Sequence, residues 1–189
     1  MTSIDPSGVR IVRNDLSPEA QGFQRLGGIK TAEAVASLGP LYFDAKDILM
    51  VQGWCTTLSS GDTIGFQFNS DASAAYSFAP LYADPVTTSN VFTGSAAVSQ
   101  PMLELHNDAG TTQTRFFFVT IANRVGMPKM AGWRMAKSTG SAATVGGLYA
   151  GVGQYYNLTA NISSMTLRTA TGTVTMGAGS GFSVFGKDI

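Results

Sequence analysis

The chain has 189 residues, with 12 basic and 12 acidic side chains, a formal net charge of zero, 13% charged residues and 44% apolar ones. That length suits one good-sized β domain plus an extension, and the charge balance argues against a nucleic-acid binder or a polybasic membrane anchor. Ser, Thr and Gly make up about a third of the residues, so the surface is neutral and hydroxyl-rich, either covered by partners or simply that of a low-charge β domain.

Residues 1–30 hold Pro6, Gly8, Pro18, Gly22, Gly27 and Gly28, seven charges and few bulky apolar groups. Val9, Ile11 and the Leu16–Gln21 stretch allow one short strand and a helical turn at most. The segment is therefore expected as an extended N-terminal arm, with plain disorder as the alternative. As a docking arm it offers Val9, Ile11, Val12, Leu16 and Phe23 as apolar anchors, and Arg10, Arg13 and Arg25 to pair with carboxylates at the rim. Met1–Arg10 holds no continuous apolar stretch and no run in the sequence approaches a membrane span, which predicts assembly in a cytoplasm and no membrane partner.

From residue 31 to 189 the pattern changes to short strand candidates at 31–37, 48–56, 62–68, 74–79, 101–106, 113–122, 129–137, 145–156, 162–168, 172–176 and 181–186. No apolar pattern of helical period persists, so the expectation is one all-β domain, an antiparallel sandwich or barrel. In Asp62–Phe68 the alternation sends Ile64, Phe66 and Phe68 inward. Ile48–Cys55 and Thr114–Ile121 are apolar on both faces, so something must cover their outer side: a loop, the arm or a second subunit. The expected core comprises Ile64, Phe66, Phe68, Phe118, Trp133, Met165, Leu167, Val174, Phe182 and Val184. The long connection at about 80–100 is expected to be functional or partner-covered.

Catalytic chemistry is sparse. His106 is the only histidine, and with Glu104 and Asp108 it reads as a solvated strand end rather than a metal site. Cys55, the only cysteine, lies in an apolar run and is expected as a buried inert thiol. Gly177-Ala-Gly-Ser-Gly181 has neither the spacing nor the following helix of a phosphate loop and is expected as a tight turn. Asn69-Ser-Asp71 offers oxygens that a calcium ion could use, a weak signal. No catalytic, cofactor-binding or metal-ligating residues are assigned. Tyr149, Tyr155 and Tyr156 are the rings available to stack on a sugar.

Two segments resemble a known family. Ile162–Gly186, with an Ile-led strand, a small loop, Gly-Ser and an aromatic strand closing on Phe-Gly, resembles the ending of bacteriophage virion proteins that carry a carbohydrate-binding-module-like jelly-roll domain. Thr63–Tyr76 is similar to the same proteins' hydrophobic strand, Asn-Gly-Asp turn and Tyr, with Ser70 in place of the Gly and Ala75 in place of an Asn. The resemblance implies a jelly roll and a non-enzymatic virion role, as capsid decoration, head fibre or tail-attached component, with homotrimers and other virion proteins as partners. The alternative is a receptor-binding module for host-surface glycan. It supplies no catalytic residues.

Overall fold

The structure, a computed structural model, describes residues 22–73, 75–83, 97–100, 102–108, 113–138 and 145–189. Twelve strands run through them: β1 Gln24–Lys30, β2 Ser37–Tyr42, β3 Ile48–Cys55, β4 Asp62–Phe68, β5 Tyr76–Ala83, β6 Ala97–Gln100, β7 Leu103–Asp108, β8 Arg115–Ala122, β9 Lys129–Ser138, β10 Val145–Tyr155, β11 Ser164–Thr169 and β12 Gly181–Lys187. No helix occurs among the described residues. One sheet has eight strands in the order β1-β12-β3-β8-β9-β10-β5-β6, the other four in the order β2-β11-β4-β7, and every pairing is antiparallel. The molecule is an all-β sandwich.

Alternation decides what fills it. Ile64, Phe66 and Phe68 of β4 and Met165 and Leu167 of β11 meet Leu49 and Val51 of β3, Phe117, Val119 and Ile121 of β8, and Phe182 and Val184 of β12, all buried in one core. Phe66 ties the layers together: its ring stands edge-on to Phe117 at 5.6 Å and to Phe182 at 5.3 Å. Such pairs contribute about 0.5–1.5 kcal/mol each beyond their burial. Nine of the ten expected core residues are buried. Phe118 is the correction. Strand β8 faces the core with Phe117, Val119 and Ile121, which leaves Phe118 43% exposed on the outside, edge-to-face with Phe116 at 4.8 Å.

Trp133 is buried and its indole Nε1 donates to Leu105 O at 3.1 Å. Its cross-strand partner is Gly151. A Cβ at Gly151 would fall 2.2 Å from Trp133 Cζ2, so the indole occupies the space a side chain would need.

The first strand lies inside the segment expected as an arm. Gln24–Lys30 pairs with β12 across a register shift between Arg25 and Gly27, so the sandwich starts before residue 31. Residues 172–176 are not a strand. Met176 instead bridges both Val35 and Leu58, closing one end of the sandwich.

Candidate interaction surface

The turn after β4 shows how the loops are held. Asn69 and Ser70 both have positive φ, 52° and 56°, and Asp71 N donates to Phe68 O at 2.9 Å. Asn tolerates this left-handed conformation better than most residues. Its side chain then staples the turn to β11, with Oδ1 accepting from Ser163 N and Ser164 N while Nδ2 donates to Asn161 O. Asp71 Oδ2 accepts from the Tyr155 hydroxyl at 2.9 Å. Burial opposes its ionisation, but hydrogen bonds from Ser73 and Tyr155 hold its carboxyl below the ordinary range. These oxygens are committed to the chain itself. Among the described residues no group of three His, Cys, Asp or Glu side chains is placed to hold a metal ion.

At the other end of the sandwich, Gly177–Ser180 forms the expected tight turn. Ser180 Oγ donates to Gly177 O and accepts from Thr56 N, and Trp54 Nε1 donates to Gly179 O. Cys55 is fully buried, and burial pushes its thiol pKa up. Glu104 is half-buried, its carboxyl pKa raised by that burial and by the charge of Asp62. Asp62 accepts from Thr63 N and from the Thr171 hydroxyl. Two buried polar side chains act as braces. Lys129 Nζ donates to three backbone carbonyls, of Arg124, Met127 and Asn157. Asn123 accepts from Ile162 N and donates to Lys46 O and Ile162 O.

The outer face of the eight-stranded sheet stands apart from these satisfied polar groups. Cross-strand register places Gln52, Phe118, Arg134 and Ala150 in one row, and Met50, Thr120, Gly132, Val152 and Ala79 in the next. Phe116, Phe118, Met130, Leu148 and Val152 on this face are each at least 43% exposed. A groove of about 760 Å³ runs between Phe118 and Val152, with Gly132 at its floor and Arg134 on its lining. A Cβ at Gly132 would meet nothing nearer than Gly151 O at 4.0 Å, so the floor is open. Among the described outward side chains of β3, β8, β9 and β10, Arg134 is the only charged one, and no ion pair or hydrogen bond engages it among the described residues. An outer sheet face normally meets water with polar side chains. A contiguous apolar one marks an interaction surface. No protein-family model matches the chain, and no curated protein matches its sequence.

The residues singled out from sequence fare unevenly. Val9, Arg10, Ile11, Val12, Arg13 and Leu16 lie outside the described residues. Phe23 is buried, its ring 4.9 Å from the Lys187 ammonium, so this chain's own sheet uses that anchor. Arg25 is exposed on β1. Of the three candidate sugar-stacking rings, Tyr149 and Tyr155 are corrections. The phase of β10 turns both toward the core, where Tyr155 stacks on Tyr76 at 4.8 Å. Tyr156 is exposed. The groove went unforeseen, although one signal for it was present: in Met130-Ala-Gly-Trp-Arg-Met-Ala136 the positions alternating with Trp133 are Gly132 and Arg134, which must then face outward.

Proposed function

We propose that the protein is a non-enzymatic structural component of a bacteriophage virion, a jelly-roll subunit that binds copies of itself and other virion proteins. The observation that carries this is the outer face of β3, β8, β9 and β10 in the eight-stranded sheet, largely apolar and bearing one charge among the described outward side chains of those four strands. A surface of that composition is stabilised by being covered, roughly 25 cal/mol for each Å² of apolar area removed from water. The strand order supports the jelly roll. Without β5, β6, β9 and β10, the sheets are β1-β12-β3-β8 and β2-β11-β4-β7, and the chain alternates between them except at β4–β7, as a pair of Greek keys does. The paired strands β9–β10 and β5–β6 then widen one sheet, and β9 and β10 carry Met130, Leu148 and Val152 of the apolar face.

The trimeric state, the location in the virion and assembly in the host cytoplasm belong to the same proposal and rest on the resemblance of residues 162–186 and 63–76. Sedimentation velocity at micromolar concentration tests the assembly. The wild-type chain should sediment as a closed oligomer, and Phe118→Glu, an exposed position, should fold normally and sediment as a monomer. A wild-type chain that is monomeric and also missing from density-purified particles by mass spectrometry would refute the proposal.

A further inference from the structure

We propose that the groove over Gly132 is a binding site for a free fatty acid of medium chain length, its carboxylate held by Arg134 and Thr120 and its alkyl chain lying across β9, β10 and β5. The groove volume of about 760 Å³ falls in the range of sites that hold small molecules, about 300–1,000 Å³. Small residues on successive strands keep it low: Gly132 on β9, Ala150 on β10 and Ala79 on β5 all line it. Phe118 and Val152 stand on either side. From Thr120 on β8 to Ala79 on β5 is three strand spacings, about 14 Å, which leaves room for a straight chain such as that of decanoate.

The polar groups of the groove sit at one end only. Thr120 pairs with Gly132 and Phe118 with Arg134, so Thr120 and Arg134 are diagonal neighbours on the outer face, about 7–8 Å apart. One carboxylate fits between them. Both side chains are exposed, and neither makes a hydrogen bond or ion pair among the described residues. A carboxylate is the acceptor that a guanidinium binds most strongly. No other lining side chain carries a hydrogen-bonding group except Trp133, whose indole N–H is turned inward to Leu105 O. The backbone around the groove is engaged in the ladders joining β8, β9, β10 and β5. A sugar or an extended peptide, with polar groups along its whole length, would lose water here without gaining partners. A fatty acid confines its polarity to one head. The site is also separate from the contacts between chains proposed above, because Phe116, Met130 and Leu148 are exposed and lie outside its lining.

The test is calorimetric titration of the full-length chain with decanoate, kept below its micelle concentration, and with decanol, which has the same chain and no charge. Decanoate should bind saturably, one molecule per chain, and about ten-fold more tightly than decanol. Arg134→Gln, at an exposed position, should remove that ten-fold preference and leave decanol binding unchanged, which a misfolded variant would not do. Gly132→Leu has open space for its side chain and should fill the groove, abolishing binding of both while the melting temperature stays near that of the wild type. Saturable decanoate binding by a chain that sediments as a monomer upholds this proposal and removes the assembly reading. No saturable binding by a chain that forms oligomers overturns this proposal, leaves the assembly reading standing and gives the groove to a protein partner. Equal affinity for decanoate and decanol, or binding that survives Gly132→Leu, also overturns it.

Discussion

Replacing Gly151 by Ala separates a tight contact from an open one at neighbouring places in one sheet. In a strand this change ordinarily gains about 0.5–1 kcal/mol, because glycine loses more backbone freedom on folding. Here the new methyl would lie 2.2 Å from Trp133 Cζ2 and 2.5 Å from Cε2, distances real Cβ atoms do not show. The indole cannot simply swing aside, since Nε1 is held to Leu105 O at 3.1 Å within the core. Overpacking of this kind costs about 1–3 kcal/mol, and disturbing the buried hydrogen bond adds about 1 kcal/mol. The expected net loss is about 2–3 kcal/mol, a fall in melting temperature of roughly 5–10 °C for a chain of this size. Gly132→Ala, on the adjacent strand but facing outward, meets only Gly151 O at 4.0 Å and should raise the melting temperature slightly. Trimming the ring should also rescue the first change: Gly151→Ala with Trp133→Leu should be more stable than the sum of the single effects by at least about 1 kcal/mol. Calorimetry or urea titration of the wild type, the three single variants and the double variant decides it. Equal effects of the two alanines, or an additive double variant, would refute the steric account.

Asn123→Ala removes a fully buried side chain that makes three hydrogen bonds to Lys46 and Ile162. A loss of about 3–5 kcal/mol is expected in urea titration, and a loss below about 1 kcal/mol would show that these loops do not depend on the brace. Stability should also fall at alkaline pH. Burial raises the hydroxyl pKa of Tyr155 to about 12 and that of Tyr76 as well, so above about pH 10 the unfolded chain gives up protons that the folded one keeps. Lys129, held below its ordinary value of 10.5 by burial, acts in the opposite sense only up to that value. Urea midpoints should therefore decline between about pH 10 and 12, less steeply in Tyr155→Phe, and a flat profile would contradict the burial of those hydroxyls. Asp188→Asn breaks the exposed 2.8 Å ion pair with Lys46 and should leave the melting temperature unchanged in ordinary salt, since solvent screens such pairs.

How far the sequence discloses the fold depends on whether a strand has one apolar face or two. Asp62–Phe68 alternates large apolar with small or polar residues, and its bounds and inward face are both legible. In Arg115–Ala122 and Val145–Tyr155 both faces are apolar, so periodicity reveals two sides without saying which is the core. That ambiguity put Phe118 on the wrong side and made Tyr149 and Tyr155 look available. Gln24–Lys30 has two adjacent glycines and a register shift in place of alternation, and pairing with β12 rather than local preference makes it a strand. The groove needed the register of β8, β9 and β10 together, because the residues around it are not neighbours in sequence and only their pairing brings Phe118, Gly132 and Val152 side by side.

The place of β12 between β1 and β3 sets a condition on how the chain can be made. Gln24 pairs with Gly186, and Val51 with Val184, so the first strand and one edge of the third both wait for the strand that comes last in sequence. A ribosome adding about 5–20 residues per second takes roughly 10–30 s to travel from β1 to the end of β12. Throughout that interval β3 carries an open hydrogen-bonding edge lined by Leu49, Val51 and Cys55, the kind of edge that recruits another chain. Synthesis, rather than the finished sandwich, is the stage at which this protein depends most on being kept apart from its own copies.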